Sequence, residues 1–363
     1  MRKKLLLTAG PVPVSEEIQQ ILNQPVTYHR SENFIRNFES TTQGLQYLFQ
    51  TKNDALILTA SGSGGMEAAI SNLFSPGDQI LVVENGKFSQ RWSEMALKFQ
   101  LDVNKLEIPW GKSVTAAEVT KKISSLKSIK GIFLTHCETS TGALTDLETI
   151  VPAIREQTKA LVIVDAISSA GILPLKMDDW GIDVIVSASH KGLGLPPGLA
   201  FVALNNRAWI CSEQAELPRY YFDLIRARQA LLMRKGSAFT PAIPLILAAE
   251  FTLEKIKKQG LANIWTKQKQ LADYFRQRLK DAGFEIFPDF PSDSLTVIKA
   301  EPLLNPIELA SILNKKFDII VSRGQASIAR EVIRVGHLVN IGESHLNIFL
   351  EALQKILSDN SKK

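Results

Sequence analysis

The 363 residues contain only two cysteines, Cys137 and Cys211. Two thiols cannot build a disulfide framework, and a reducing compartment is expected. Long apolar runs are absent as well. No stretch is apolar for long enough to cross a bilayer. The opening MRKKLLLTAGPVPV is basic and then apolar, but the run ends at Ala9, before Gly10-Pro11, short of a secretory h-region. A soluble, cytoplasmic protein is therefore expected. Charge of one sign is scarcely in excess, with 42 basic against 37 acidic residues and a net charge of +5. The basic residues cluster only at the ends (Arg2, Lys3, Lys4; Lys362, Lys363), whereas a nucleic-acid binder concentrates them on one face. Neither nucleic acid nor membrane is an expected partner. No internal repeat or low-complexity segment occurs. What remains is an ordinary globular composition, 45% hydrophobic and 22% charged, at a length that predicts two domains or one large domain with a smaller companion.

Through the first two-thirds, short β-rich apolar runs alternate with helical patterns, which predicts a mainly parallel α/β sheet. The runs are DALILTA (54–60), QILVVE (79–84), GIFLTH (131–136), ALVIVDA (160–166) and DVIVSAS (183–189). GLAFVAL (198–204) follows the last of these too closely for a helical crossover and is expected to run antiparallel. After Pro244 the pattern changes to a helical stretch from about Leu245 to Leu279, interrupted near Gly260. Strands are then expected near 295–299, 318–322 and 332–336, with a closing helix near 343–357. The reading is a large domain over 15–250 and a small α+β domain over 251–363, joined by the N-terminal segment 1–14.

Three places carry chemistry. ASGSGGMEAAI (60–70) follows a strand and opens a helix. Glycine lets backbone N–H groups approach an anion closely, and a helix N-terminus favours the anion's charge. A plain glycine-rich turn would look the same. No Gly-Lys-Ser/Thr follows, so it is no P-loop, and Met66 and Glu67 break a dinucleotide fingerprint. ALVIVDAISSAG (160–171) ends a strand on Asp165. A carboxylate there is costly to bury without a partner, and it either caps the turn or pairs with a protonated ring nitrogen. In DVIVSASHKGLGLPPGLAFVAL (183–204), Lys191 sits just past a strand end, on the edge where open α/β sheets bind ligands. Desolvation there would lower its pKa and free the amine for a Schiff base, although a lone lysine is usually a solvated surface residue.

The order of phosphate cup, strand-end Asp and strand-end Lys is far more specific than any one of them. The segment from Ile182 to Val202 resembles the pyridoxal-attachment signature of the class V aminotransferases, with Ser-His-Lys, a short loop and Gly-Leu-Ala. TAGPVPV (8–14), YHRSENF (28–34), SGSGGMEAA (61–69), NGKFSQRW (85–92), THCETSTG (135–142), VDAISSAG (164–171) and IRVGH (333–337) resemble blocks of the alanine–glyoxylate and serine–glyoxylate branch. That branch includes proteins labelled soluble hydrogenase small subunits. The resemblance covers nearly the whole chain. It implies the pyridoxal-phosphate transferase fold of type I, with a seven-stranded, mainly parallel sheet between helices.

The resemblance also implies a set of roles. Lys191 would hold pyridoxal 5'-phosphate as a Schiff base and shuttle the substrate's α-proton. Asp165 would keep the pyridine nitrogen protonated. Ser63, Gly64 and Gly65 would cradle the phosphate, His190 would add a phosphate contact, and Ser140 would bond near the ring hydroxyl. Phe88 would stack on one ring face and Ile167 press on the other. Arg334 would clamp the substrate α-carboxylate in a bidentate pair. Thr240 would reach the phosphate of a neighbouring subunit, which implies a homodimer with shared active sites. His29 and Arg30 either line the substrate entrance or fix the N-terminal segment, and Tyr220 and Tyr221 are expected to be packing residues. Two positions depart from the branch. His190 stands where the aminotransferase branch commonly has glutamine, a histidine there resembling the related cysteine desulfurases, and Phe88 stands where human-type members carry tryptophan, an exchange that keeps a stacking ring.

The activity implied is transamination from a small amino acid (alanine, serine or aspartate) to a small 2-oxo acid (glyoxylate or pyruvate). A lyase of the cysteine desulfurase type is the rival within the cofactor class. It needs a mobile cysteine on a loop late in the chain, and neither Cys137 nor Cys211 suits the part. A non-catalytic pyridoxal-binding subunit of a redox complex is a third reading, although two cysteines cannot supply nickel–iron ligands in pairs.

Overall fold

The computed structural model describes residues 4–300 and 305–360. The basic residues Arg2, Lys3, Lys362 and Lys363 lie outside them.

A seven-stranded sheet organises the larger part. Its strands stand in the order Asp54–Ala60, Gly198–Leu204, Val184–Ala188, Leu161–Asp165, Gly131–Thr135, Gln79–Glu84 and Asp102–Glu107. Gly198–Leu204 is antiparallel to both of its neighbours, and every other pairing is parallel. Both the parallel sheet and its single reversed strand are as expected. The period-2 alternation of each run divides its side chains between the two faces. Leu81, Ile132, Val162 and Ile185 enter one core with the helix Glu32–Phe49. Ile80, Phe133, Ile163 and Val184 enter another with the helices Gly62–Leu73 and Lys87–Lys98. Burial on both faces is why these runs read as continuously apolar. The edge strand Asp102–Glu107, DVNKLE, was not expected; it is largely polar and half exposed, so it lacks that signature.

A five-stranded sheet forms the second layer, in the order Leu5–Leu7, Ile319–Arg323, Val332–Gly336, Leu295–Lys299 and Glu285–Ile286. The N-terminal strand joins it in parallel, pairing Leu5 with Ile319 and Leu7 with Val321. Its core holds Leu7, Phe275, Ile298, Ile333 and Phe349. The helical stretch after Pro244 is two helices, Ile243–Gln259 and Leu261–Asp281, broken at Gly260, whose φ of +78° suits glycine. The chain closes with the helix Glu343–Asn360. The arrangement carries Val332–Gly336, and Arg334 with it, to the loops at the carboxyl ends of the large sheet.

Candidate active site

Neighbouring strands place the central residues. Asp165 is the last residue of its strand, in register with Thr135 on one side and Val186 on the other. Two residues beyond Val186 the next strand ends at Ala188, and Ser189-His190-Lys191 follows in the connection to Gly198–Leu204. That tight connection is held by Ser189, whose hydroxyl donates to the Pro196 carbonyl at 2.7 Å.

Lys191 is 7% exposed, and its Nζ donates to the Ala9 carbonyl at 2.5 Å. Burial draws the amine down to about 8. Asp165 is 5% exposed, and burial pushes its carboxyl up to about 7 even though Oδ1 accepts the Ile167 N–H at 2.8 Å. These are a lysine eased towards neutrality and a carboxyl eased towards protonation, on adjacent strand ends. Opposed shifts of this kind, made by desolvation in a cleft, mark functional sites more often than structural ion pairs.

The glycine-rich segment is the first turn of the helix Gly62–Leu73 rather than a loop before it. Gly64 and Gly65 already donate to the Ser61 carbonyl, at 2.9 and 3.3 Å. The amides of Gly62 and Ser63 have no intrahelical acceptor, as the first amides of any helix do not. A Cβ on Gly65 would lie 2.9 Å from Val186 Cγ1, and one on Gly62 would lie 2.5 Å from Ile167 Cδ1. The glycines therefore let this helix start close against the strand ends. Ser63 Oγ accepts from Arg91 Nη1 at 3.0 Å, and the Arg91 guanidinium sits 4.9 Å from the centre of the Phe88 ring. Phe88 is only half-buried and belongs to none of the apolar cores. His190 carries a buried Nδ1 that has no hydrogen-bond partner among the described residues, and burial draws its ring down to about 4.

Arg334 reaches in from the second sheet, 7% exposed. Nε donates to the Arg323 carbonyl at 2.9 Å and Nη1 to the Thr139 carbonyl at 3.0 Å. Burial draws the guanidinium down to about 10, so it is still cationic at neutral pH. It makes no salt bridge among the described residues, and both of its hydrogen bonds go to backbone carbonyls. Ser140 Oγ accepts the Lys87 N–H at 2.9 Å and donates to Glu138 at 2.6 Å.

Several features had no sequence counterpart. Ala9 and Gly10 meet Lys191, Arg91 joins the Ser63 turn, and Glu138 is buried among the sheet-edge loops. Glu138 was visible as the one acid in THCETSTG, but nothing in the sequence shows that this block folds onto residues 87–89. Tyr220 and Tyr221 do pack, against the Phe239 ring, but at the surface, where they are 70% and 46% exposed. Thr240 is exposed and lines a surface cavity with His29, Arg30, Arg234 and Phe239.

A parallel sheet whose carboxyl edge gathers these residues, with a second sheet lending an arginine, is the fold of the pyridoxal-phosphate-dependent aminotransferases. The chain belongs to the class V aminotransferase family, whose model, "Aminotransferase class-V", matches residues 11–342. A soluble hydrogenase 42 kDa subunit from Anabaena cylindrica is 35% identical over 98% of this chain and 93% of its own length. An L-aspartate–glyoxylate aminotransferase from Paracoccus denitrificans is 32% identical over 96% of this chain and 90% of its own. The crystal structure of an alanine–glyoxylate aminotransferase from Nostoc sp. superposes with a TM-score of 0.94 at 28% identity, covering 98% of this chain and 96% of that one. The expectation of a class V transaminase is borne out.

Proposed function

We propose that the chain is a homodimeric, cytoplasmic enzyme that uses pyridoxal 5'-phosphate to move an amino group from a small amino acid to glyoxylate or pyruvate. The observation that carries this is the pairing of a buried lysine drawn down to about 8 with a buried carboxyl pushed up to about 7 on adjacent strand ends. The surrounding residues fit the cofactor. His190 Nδ1 is a buried polar atom waiting for a partner, and the free amides of Gly62 and Ser63 favour a phosphate.

When bound, the cofactor would supply an electron sink that lets the substrate α-hydrogen leave as a proton. The rest is the work of this chain. Lys191 Nζ, partly neutral near physiological pH, would attack as a nucleophile and then carry that proton. Asp165 would hold a proton on the ring nitrogen by placing its carboxylate opposite it. Ser63 and His190 would bind the phosphate, with Gly64 and Gly65 allowing the close approach. Phe88 and Ile167 would sandwich the ring, and Ser140 would bond at its hydroxyl edge. Arg334 Nη2, the guanidinium nitrogen with no partner among the described residues, would take the substrate carboxylate.

Two relatives act on glyoxylate by name, with aspartate or alanine as the other partner, which favours a small donor here. Shared active sites are supported by exposed apolar side chains near Thr240: Tyr220 at 70%, Leu232 at 63% and Met233 at 83%. A monomer rarely leaves such a patch in water. The division into a large domain over 15–250 and a small one over 251–363 with 1–14 is supported by the pairing of Leu5–Leu7 with the second sheet.

The desulfurase reading has no support in the geometry. Cys137 is buried beside Ser294, and burial pushes its thiol up to about 11. A half-reaction screen decides: the purified holoenzyme is mixed with single amino acids, and the cofactor spectrum is followed. Conversion to the pyridoxamine form with alanine, serine or aspartate supports the proposal. If no donor converts it, transamination by this chain is ruled out.

A further inference from the structure

Glu138 is fully buried at the end of the two-residue strand Cys137–Glu138, and its carboxylate bridges its own hairpin turn and the start of the helix Lys87–Lys98. Four donors converge on it. Oε2 accepts the N–H groups of Ser89 at 2.8 Å and Phe88 at 3.1 Å, while Oε1 accepts the Ser140 N–H at 3.0 Å and the Ser140 hydroxyl at 2.6 Å. The Ser140 hydroxyl in turn accepts the Lys87 N–H at 2.9 Å. The first three amides of the helix Lys87–Lys98 are therefore capped from 50 residues away, by a carboxylate and the serine it holds. The helix's own cap position, Gly86, has no side chain to do this. A Cβ there would lie 2.4 Å from both Glu138 Cγ and Ser140 Oγ, so the glycine is what lets the clamp close. A carboxylate suits the place twice over, because helix amides bind it strongly and the helix dipole favours its charge.

The clamp grips the two residues that, on the pyridoxal phosphate reading, meet the cofactor ring. Phe88 is its direct backbone partner, and Ser140 its side-chain partner. We propose that Glu138 is a positioning residue, which fixes the Phe88 ring and the Ser140 hydroxyl in place by capping the helix Lys87–Lys98 from inside the hairpin. The inference rests on pyridoxal phosphate binding at Lys191. Glu138 does not itself meet the cofactor; it acts through its partners.

The test is a double-mutant cycle on the full-length protein, reading pyridoxal phosphate affinity and the visible circular dichroism per bound cofactor. Glu138→Gln keeps the shape but presents an amide NH2 to backbone donors. It should weaken cofactor binding at least about 10-fold and change the dichroic band. Phe88→Ala should weaken binding as well, and adding Glu138→Gln to it should cost less than in the wild type, because one of the two residues it acts through is gone. Additive effects, or an unchanged band in Glu138→Gln, overturn the proposal. Should Glu138→Gln not fold, Gly86→Ala pushes on the same clamp from the other side. It must then reproduce the dichroic change, and an unaltered band there overturns the proposal as well. A wild-type protein that binds no pyridoxal phosphate overturns the cofactor reading and this inference with it. Wild-type binding with additive mutants overturns the inference alone.

Discussion

Lys191 and Gly10 are in direct contact across 181 positions of sequence. A Cβ on Gly10 would lie 2.4 Å from Lys191 Cε, and the preceding carbonyl, that of Ala9, accepts the Lys191 amine. Gly10 also holds a φ of +120°, which L-residues with side chains rarely adopt. The segment follows directly on the strand Leu5–Leu7, so the second sheet, which carries Arg334, is tied to the lysine through its own first strand. Arg334 and Lys191 thus share one mechanical support.

Gly10→Ala is expected to cost about 1–3 kcal/mol of stability from its backbone alone. It should also displace the lysine side chain, which is flexible enough to move but not without leaving the Ala9 carbonyl. Transaminase turnover should fall by roughly 10-fold or more, since misplacement by an ångström costs that much or more. Urea unfolding and steady-state kinetics on the same preparation check both parts. Unchanged kinetics would mean that the contact is incidental.

Asp165 sets a pH dependence of known sign. Its folded-state carboxyl sits at about 7 rather than the ordinary 3.8, so the native state holds a proton that the unfolded chain has lost between those values. Stability of the cofactor-free protein should therefore fall as pH rises from about 4 to about 7, by a few kcal/mol at most. Asp165→Asn removes this slope, stabilising the cofactor-free protein at neutral pH while it weakens turnover by orders of magnitude. Denaturant midpoints at pH 5 and pH 7.5 for both proteins measure it. Equal slopes would show that Asp165 is not held protonated.

Arg334→Lys keeps the charge but loses the fork. KM for the amino donor should rise by roughly 10-fold or more, because a single ammonium cannot reproduce a bidentate carboxylate pair. The cofactor spectrum should stay normal, as Arg334 bonds Arg323 and Thr139 rather than any residue of the phosphate cup. A spectrum that changes with KM unmoved would take Arg334 out of the substrate site.

His190→Gln should be nearly silent in cofactor affinity, whereas His190→Ala should weaken it by roughly 10-fold or more through loss of one hydrogen bond to a charged partner. The His190 ring is drawn down to about 4, so it is neutral at working pH and its contribution should be flat from pH 6 to 8. Equilibrium dialysis of pyridoxal phosphate across that range gives the answer. A steep loss of affinity over it would imply a charged histidine instead.

Much of this was legible in the sequence because it is local. The strands ending at Asp165 and just before Lys191 are buried on both faces, so they read as unbroken apolar runs, and their ends mark the site. Residues whose meaning depends on distant partners were not legible. Leu5–Leu7 is too short an apolar run to read as a strand by itself, and it becomes one by pairing with Ile319–Val321. Asp102–Glu107 is a half-exposed edge with little hydrophobic signal. Glu138 meets the Phe88 and Ser89 amides only when the hairpin folds against them.

Lys191 is the residue proposed to bind pyridoxal phosphate covalently. The most direct measurement is borohydride reduction of the loaded protein followed by peptide mass mapping, with Lys191→Ala alongside. A single pyridoxyl-modified peptide carrying Lys191 is expected, with neither the modification nor the Schiff-base absorbance in Lys191→Ala. Modification at another lysine, or an unchanged absorbance band in the variant, would contradict it.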